Sequence, residues 1–420
     1  MREPIYKSRP VAPSPARLGG ERINDFIVVS EGYSNTYRIE TPEGSVQVNA
    51  GLGMEAPIHE QNYAAFTESP VRYLIVTQGH GDHVGGVGYF RAKNPGLEFI
   101  ATAGNQEHQS YEQRLMAFRG DRAGFAFRKP NVEYFSYARQ HSPDGVPDQD
   151  QPVPDISFED EYRFELGGLK VELFAVPGAE TNDSLIVWLP EHRICLTGNL
   201  FGCPFGHFPN LITIRGDRYR DALTCAAAAE TVRALEPEMI LYGHHAPVVG
   251  AKLIQEELVA LRDAIHYVHD ATVAGMNAGK DVHTLMREIE LPAEVEVGQG
   301  YGRVSWSVRA IWEAYAGWFH HDSTTELYAT PQRSIHGDLL ELAGGPDALV
   351  KRAREKLASG AVPEAIHLLD IVVSQDADHV AAVESLITAH ETLLADSENF
   401  WLSAWLRHQI EQLDARRPSG

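Results

Sequence analysis

The segment Thr77-Gln78-Gly79-His80-Gly81-Asp82-His83 concentrates metal-binding side chains in a way no other stretch of this chain matches. A metal ion needs several nitrogen and oxygen donors converging on one point. His80, Asp82 and His83 stand within four residues of one another, between glycines, and follow an apolar run from Val71 that reads as a buried strand. A loop leaving a strand can turn these side chains in different directions, and glycine permits the tight backbone that this requires. One histidine alone is more often packed or solvated than ligating. This clustered set points to a metal centre rather than a polar turn.

The elements that would position such a loop are legible around it. Short apolar runs between turn residues predict strands over Asp25–Ser30, Ser34–Glu40, Ser45–Ala50, Arg72–Thr77, Glu98–Ala101, Lys170–Val176, Leu185–Leu189, Arg193–Thr197 and Glu238–Tyr242. A helix is predicted over Tyr219–Leu235. Mixed strands and helices in this order indicate a layered α/β or α+β domain. Gln140–Pro154, rich in Pro, Asp and Gln, reads as an exposed loop. After about residue 252 the pattern turns helical. Leu349, Val350, Ala353 and Leu357 share one face, and so do Trp401, Leu402, Trp405, Leu406 and Ile410. Gly344-Gly345-Pro346-Asp347 is a helix start. The helices beyond residue 345 read as two stacked hairpins. The aromatic stretch from Trp306 to Phe319 reads first as packing, within a core or between domains, and otherwise as a dimer contact or an apolar cleft wall.

Composition narrows the partners. Lys and Arg number 36 and Asp and Glu 58, a formal net charge of −22. That field repels nucleic-acid phosphates and anionic membrane surfaces, so neither is an expected partner. The three cysteines, Cys195, Cys203 and Cys225, are too few and too odd in number for a disulfide framework and suit a reducing cytoplasm. The N-terminus lacks the apolar core of a signal peptide, and no apolar run is long enough to span a bilayer.

The loop resembles the His-x-His-x-Asp-His signature of the metallo-β-lactamase fold, an αββα sandwich with its metal site at the edge between two sheets. Further segments match in order: Pro177-Gly178-Ala179-Glu180-Thr181, Cys195-Leu196-Thr197-Gly198-Asn199 and Tyr242-Gly243-His244-His245. Within that fold the chain is most similar to the alkylsulfatase branch. Glu180 stands where that branch places a glutamate, and Asn210 to Gly216, followed by Arg220-Asp221, resembles its sulfate-holding segment. Tyr301-Gly302 through Phe319, then Leu342 to Gly345, resembles the start of its helical dimerisation domain. The resemblance runs from about residue 20 to 415 and implies an N-terminal extension (1–19), a catalytic domain (20–252) and an all-helical dimerisation domain (253–415). A sterol-carrier-like C-terminal domain, found in longer alkylsulfatases, is not expected.

The resemblance also assigns roles. One metal would be held by His80 and Glu180 with Gln78 nearby, and a second by Asp82, His83 and His244. His245 is expected to support its neighbour or pack. Gln78 replaces the signature's first histidine, and an amide oxygen is a weaker zinc ligand than imidazole, although some metallo-β-lactamases carry Gln there. Asn199 (Gly198 in another alignment) replaces the bridging acid, and still offers a carbonyl. Cys203 is a soft donor nearby, more readily read as a small buried residue. Zinc suits the donor set, as one or two ions, with iron or manganese as alternatives. A bound metal lowers the pKa of its water to about 7. Asp82 would orient that water, while Arg215 and Asn210 would hold a sulfate or carboxylate. Arg215 could otherwise form an ordinary ion pair. The implied activity is hydrolysis of an organic sulfate ester with an apolar part, by a cytoplasmic homodimer. Alternatives are a hydrolase of the same fold acting on a carboxylic ester, lactone, amide or phosphodiester, and a non-catalytic binding protein that has lost its site.

Overall fold

Alternate residues of a strand point to opposite faces, so a strand apolar throughout must be covered on both sides. β10 (Leu185–Leu189) is buried at every position, and the layers on its two faces follow from that. In this computed structural model, which describes residues 3–417, the first sheet has seven strands in chain order. They are β1 (Glu21–Arg22), β2 (Ile27–Ser30), β3 (Thr36–Thr41), β4 (Gly44–Val48), β5 (Val71–Ile75), β6 (Glu98–Thr102) and β7 (Ile156–Phe158). β1 to β4 pair antiparallel and β4 to β7 parallel. The second sheet contains β8 (Glu161–Leu166), β9 (Leu169–Ala175), β10, β11 (Ile194–Gly198), β12 (Met239–Tyr242) and β13 (Val248–Val249), in the order β13-β12-β11-β10-β9-β8. Every strand read from the sequence is present; β1, β7, β8 and β13 are additional.

Between the sheets lies one apolar layer: Ile39, Val46 and Ile75 from the first sheet meet Leu185, Val187, Leu196 and Leu241 from the second. The outward side of the first sheet, with Leu74, Val76 and Phe99, is covered by Val84, Val87 and Phe90 of two short helices, α2 (Gly81–Val84) and α3 (Val87–Lys93), after α1 (Ala56–Ala64). Helices α4 (Asn105–Arg114) and α5 (Met116–Gln140) follow β6. The outward side of the second sheet, with Ile186, Cys195 and Ile240, is covered by α6 (Ala222–Ala234) and α7 (Ala251–Asn277). Asp221 starts α6 by accepting from Thr224 N. Two helical layers thus enclose two sheets, the αββα arrangement expected.

The chain divides into two compact units, Met1–Trp312 and Glu313–Gly420. The helical pattern begins where expected, with α7, but Leu258, Leu261 and Ile265 of α7, and Val308 and Ile311 of α9 (Val304–Ala316), bury in the same core as α6. So α7, α8 (Val282–Glu288) and the start of α9 belong to the first unit. The second unit holds α10 (His336–Leu342), α11 (Pro346–Ala358), α12 (Val362–Gln375), α13 (Val380–Ala395) and α14 (Phe400–Asp414). Its core joins Val350, Ala353, Leu369, Leu386 and Leu413, and α11 packs on α12 as α13 packs on α14, the two hairpins read from the sequence. The aromatic stretch is less buried than packing alone implies, with Tyr315 58% and Trp318 71% exposed.

The ends of β5, β11 and β12 meet at one rim, held by buried polar bonds. Asn49, in the left-handed region at φ 64°, accepts at Oδ1 from both the backbone N–H and the hydroxyl of Thr77, each at 3.0 Å. Leu185 N donates to the Thr77 carbonyl at 2.9 Å, and Gly243 N to the Gly198 carbonyl at 2.7 Å. Gly198, at φ 57°, has no room for a side chain, because a Cβ would lie 2.4 Å from Thr77 Oγ1. Tyr37 of β3 donates its hydroxyl to the Tyr242 carbonyl of β12 at 2.6 Å, a bond from one sheet to the other. Tyr37→Phe removes that donor without changing ring volume and leaves a buried acceptor short of a partner. It should destabilise the protein by about 1–3 kcal/mol, read as a lower denaturant midpoint at unchanged slope.

Candidate metal centre

His80, Asp82 and His83 enter this rim because the chain leaves β5 at Thr77 and turns at once into α2. His83 is fully buried. Its Nδ1 lies 3.0 Å from Ser34 Oγ and 3.4 Å from Thr77 Oγ1. A ring that donates from Nδ1 to Ser34 Oγ carries its lone pair on Nε2, which is buried with Asn199 beside it. Nε2 stands 3.6 Å from Asp82 Oδ2, and His244 Nε2 stands 4.0 Å from that same oxygen. Donor atoms of Asp82, His83 and His244 all fall within 4.8 Å of one another. Zinc bonds of about 2.0–2.2 Å space tetrahedral ligands roughly 3.3 Å apart. A small inward movement would complete such a set, so these residues fit a divalent cation.

Their protonation suits it as well. Burial lowers the His83 imidazole to about 3. Burial also lowers His244 to about 3, against the pull of Asp82. Both rings are therefore neutral at physiological pH, the form that ligates metal. Burial raises the Asp82 carboxyl, opposed first by His244.

The other expected donors lie beside this group in a different setting. Gln78 Nε2 is 2.6 Å from His80 Nδ1, and that nitrogen is 3.9 Å from Glu180 Oε1. Glu180 accepts from Arg220 Nη2 and lies 3.5 Å from Asn199 Nδ2. Asn199 Oδ1 is buried without a hydrogen-bond partner. Burial lowers the His80 imidazole well below its usual range, helped by His108 and by Arg215, Arg220 and Arg119. Cys203 is buried, and burial holds its thiol well above the usual range. His245 sits at φ 64° with its carbonyl accepting from Asn35 Nδ2 at 2.7 Å.

Arg215 lines a cleft of about 940 Å³ shared with His80, Asp82, Asn199 and His244, and Met54 and Phe127 of that wall are apolar. Its Nε is 3.5 Å from Asp217 Oδ2. Asn210 is buried and does not line this cleft: its Oδ1 accepts from Thr213 Oγ1, its carbonyl accepts from Arg220 Nη1 at 2.9 Å, and its Nδ2 is buried without a hydrogen-bond partner.

Several residues here were not singled out from the sequence. His108 and Glu112, one turn apart on α4, bring donor atoms within 4.8 Å of His80, a second grouping capable of holding a cation. Glu112 Oε1, however, accepts from Arg119 Nη1 at 2.5 Å and is thereby matched to a guanidinium. Asp217 pairs with Arg119, Arg215 and Arg220; burial alone would raise its carboxyl, yet the three cations hold it well below the usual carboxylate range. The i, i+4 spacing of His108 and Glu112 is a helical signal the sequence does carry.

Comparison with known proteins gives the lineage. Residues 29–244 match the family described as "Metallo-beta-lactamase superfamily", and residues 282–414 match "Alkyl sulfatase dimerisation". The chain is 26% identical over 394 residues to a linear primary-alkylsulfatase of a Pseudomonas species, covering 89% of this chain and 73% of that one. It is 25% identical over 368 residues to the alkyl/aryl-sulfatase BDS1 of Saccharomyces cerevisiae, covering 82% of this chain and 55% of the relative. The solved structure of the stereoselective inverting sec-alkylsulfatase Pisa1 from Pseudomonas superposes with a TM-score of 0.79 at 21% identity, over 96% of this chain and 66% of that one. The fold is therefore shared, while the chain spans only about half to three quarters of these relatives' length.

Two outcomes are expected. Ser34→Ala frees the His83 ring and should weaken metal binding by about tenfold, measured by competition with a chelator. In the metal-free protein, His59, His83 and His244 each have a folded pKa of about 3. The unfolded chain binds their protons below about pH 6.5, so stability should rise with pH across the window from 3 to 6.5. Burial also lowers His207 and His245 to about 4, and these act in the same sense. Glu55 and Glu180, both raised to about 7 by burial, act in the opposite sense and are outnumbered by these five imidazoles. The melting temperature of chelator-treated protein should thus fall steadily from pH 7 to pH 5.

Proposed function

We propose that this chain, which belongs to the metallo-beta-lactamase superfamily, hydrolyses organic sulfate esters at a metal centre built on Asp82, His83 and His244. The observation that carries the reading is a shared cleft: Asp82, His244 and Arg215 line one cavity together with Met54, Phe127, Val132 and Phe135. Cation-binding donors beside a guanidinium suit an anionic ester group, and the apolar wall suits an apolar tail. The alkylsulfatase names of the relatives support the same substrate class.

A divalent cation, zinc by the chemistry of its donors, supplies Lewis acidity that makes water nucleophilic near neutral pH. The chain's own residues do the rest. Asp82, at the cleft wall, orients the attacking water as well as holding the ion. Arg215 binds the sulfate oxygens through its planar fork, and Asp217 fixes that fork from behind. Asn210, whose Nδ2 is buried without a hydrogen-bond partner, is the further donor in this reading. Water and ester are consumed; an alcohol and hydrogen sulfate are formed. His80, Gln78, Glu180 and Asn199 complete the surroundings of the centre. No described helix is long and apolar enough to cross a membrane. The proposed protein is a cytoplasmic homodimer; the dimerisation-family match and exposed Tyr315 and Trp318 support its pairing through the helical region from residue 253 to 415.

The test is sulfate release by metal-loaded protein from a panel of alkyl and aryl sulfates, run beside carboxylic esters, lactones and phosphodiesters. Turnover of the sulfates is expected. Cleavage of the other esters with no sulfate released would replace this reading by its alternative. Arg215→Lys keeps the charge and loses the fork, and should lower kcat/KM for the best sulfate about 10- to 100-fold with the fold intact by circular dichroism.

A further inference from the structure

We infer that the chain holds one divalent ion per molecule, on Asp82, His83 and His244, and that the Arg220 guanidinium serves as a permanent cation where the superfamily resemblance would place another ion. The inference rests on the metal-centre reading above. It starts from two neutral replacements, Gln78 for a histidine and Asn199 for a bridging acid, and from what their neighbours do.

His80 Nδ1, the ring nitrogen that faces Glu180, is already engaged by the Gln78 amide at 2.6 Å. Glu180, the one carboxylate of that set, is matched to Arg220 Nη2. Arg220 is 3% exposed and is tied down on three sides: Nη2 to Glu180 Oε1, Nε to the Glu180 carbonyl at 3.2 Å, and Nη1 to the Asn210 carbonyl at 2.9 Å. A metal ion on Glu180 would strip a buried guanidinium of its counter-charge, a costly exchange in a dry setting. The wider charge balance agrees. Arg119, Arg215 and Arg220 meet Glu112, Glu180 and Asp217 in one network, guanidinium for carboxylate. Gln78 and Asn199 contribute no negative charge to offset a dication. On the other side of the rim the opposite holds: Asp82 Oδ2 faces the Nε2 atoms of His83 and His244, at 3.6 and 4.0 Å. The centre therefore keeps the field of two cations with one exchangeable ion.

The experiment is metal stoichiometry by mass spectrometry on the full chain, loaded with excess zinc and desalted. One equivalent is expected, falling close to zero in His83→Ala and staying at one in His80→Ala. Two equivalents in the unmodified chain would overturn the inference alone. None would overturn the metal-centre reading and the inference with it. One equivalent without sulfate turnover would leave the inference standing and remove the proposed activity. The part played by Arg220 is read in the Gln78→His/Asn199→Glu background, which restores imidazole and carboxylate. There a second zinc should bind at least about tenfold more tightly when Arg220→Met is added; equal affinity would remove Arg220 from the inference. If those variants fail to fold, the stoichiometry of the unmodified chain still decides the ion count.

Discussion

A rim that gathers three strand ends must satisfy every backbone polar group it shuts away from water, because an unmatched buried group costs more than a hydrogen bond returns. Asn49, Thr77, Tyr37 and Asn35 meet that demand here. Asn49 caps the start of the metal loop through Thr77, while Asn35 N donates to the Gly243 carbonyl at 2.6 Å. The placement of His83 and His244 follows, since each lies a few residues beyond one of these bonds. Ser34 then turns the His83 ring. The centre is thus a by-product of closing the rim: the bonds that keep the two sheets in register also aim the imidazoles.

The second organising feature is electrostatic. Burying Arg119, Arg215 and Arg220 near one another is tolerable only because Asp217 sits among them and Glu112 and Glu180 complete the balance. Such a network is rigid, since displacing any member exposes another to an unmatched charge. Rigidity matters to an anion site, where a donor fork held in advance loses little freedom on binding. Arg215 alone of the three arginines lines the cleft, and the network behind it is what holds it there.

How much of this was legible depends on the kind of signal. β10 and β11 are short apolar runs bounded by turn residues and were readable directly. β8 carries a regular alternation, Glu161, Arg163 and Glu165 outward and Tyr162, Phe164 and Leu166 inward, but three charges over six residues masked it as a polar stretch. α5 is hard to read because Gly120, Gly124 and Pro130 interrupt what is a 25-residue helix, and because it buries only Ala126 and Ala138 and so shows no continuous apolar stripe. In the site, His80, Asp82 and His83 announce themselves by proximity in the chain. His108, Glu112, Arg119 and Asp217 do not, because their meaning lies in who faces them across the fold. Arg220 stood in a segment already noticed, yet its pairing with Glu180 spans forty residues and appears only once the second sheet is closed. The sequence turns helical after residue 252, while compactness follows burial, which keeps α7 with the layer it covers.

The arginine network lies inside a chain of net charge −22. At distances beyond a Debye length an anion meets the acidic whole, and only close to the cleft does it meet Arg215. Long-range guidance and short-range capture are therefore of opposite sign. An anionic substrate approaches against a shallow repulsive slope that dissolved salt flattens, then falls into a steep local well that salt, excluded from the buried network, scarcely reaches. The encounter is governed by ionic strength in one direction and the grip in the other, so selectivity among anions rests on fit at contact rather than on attraction from afar.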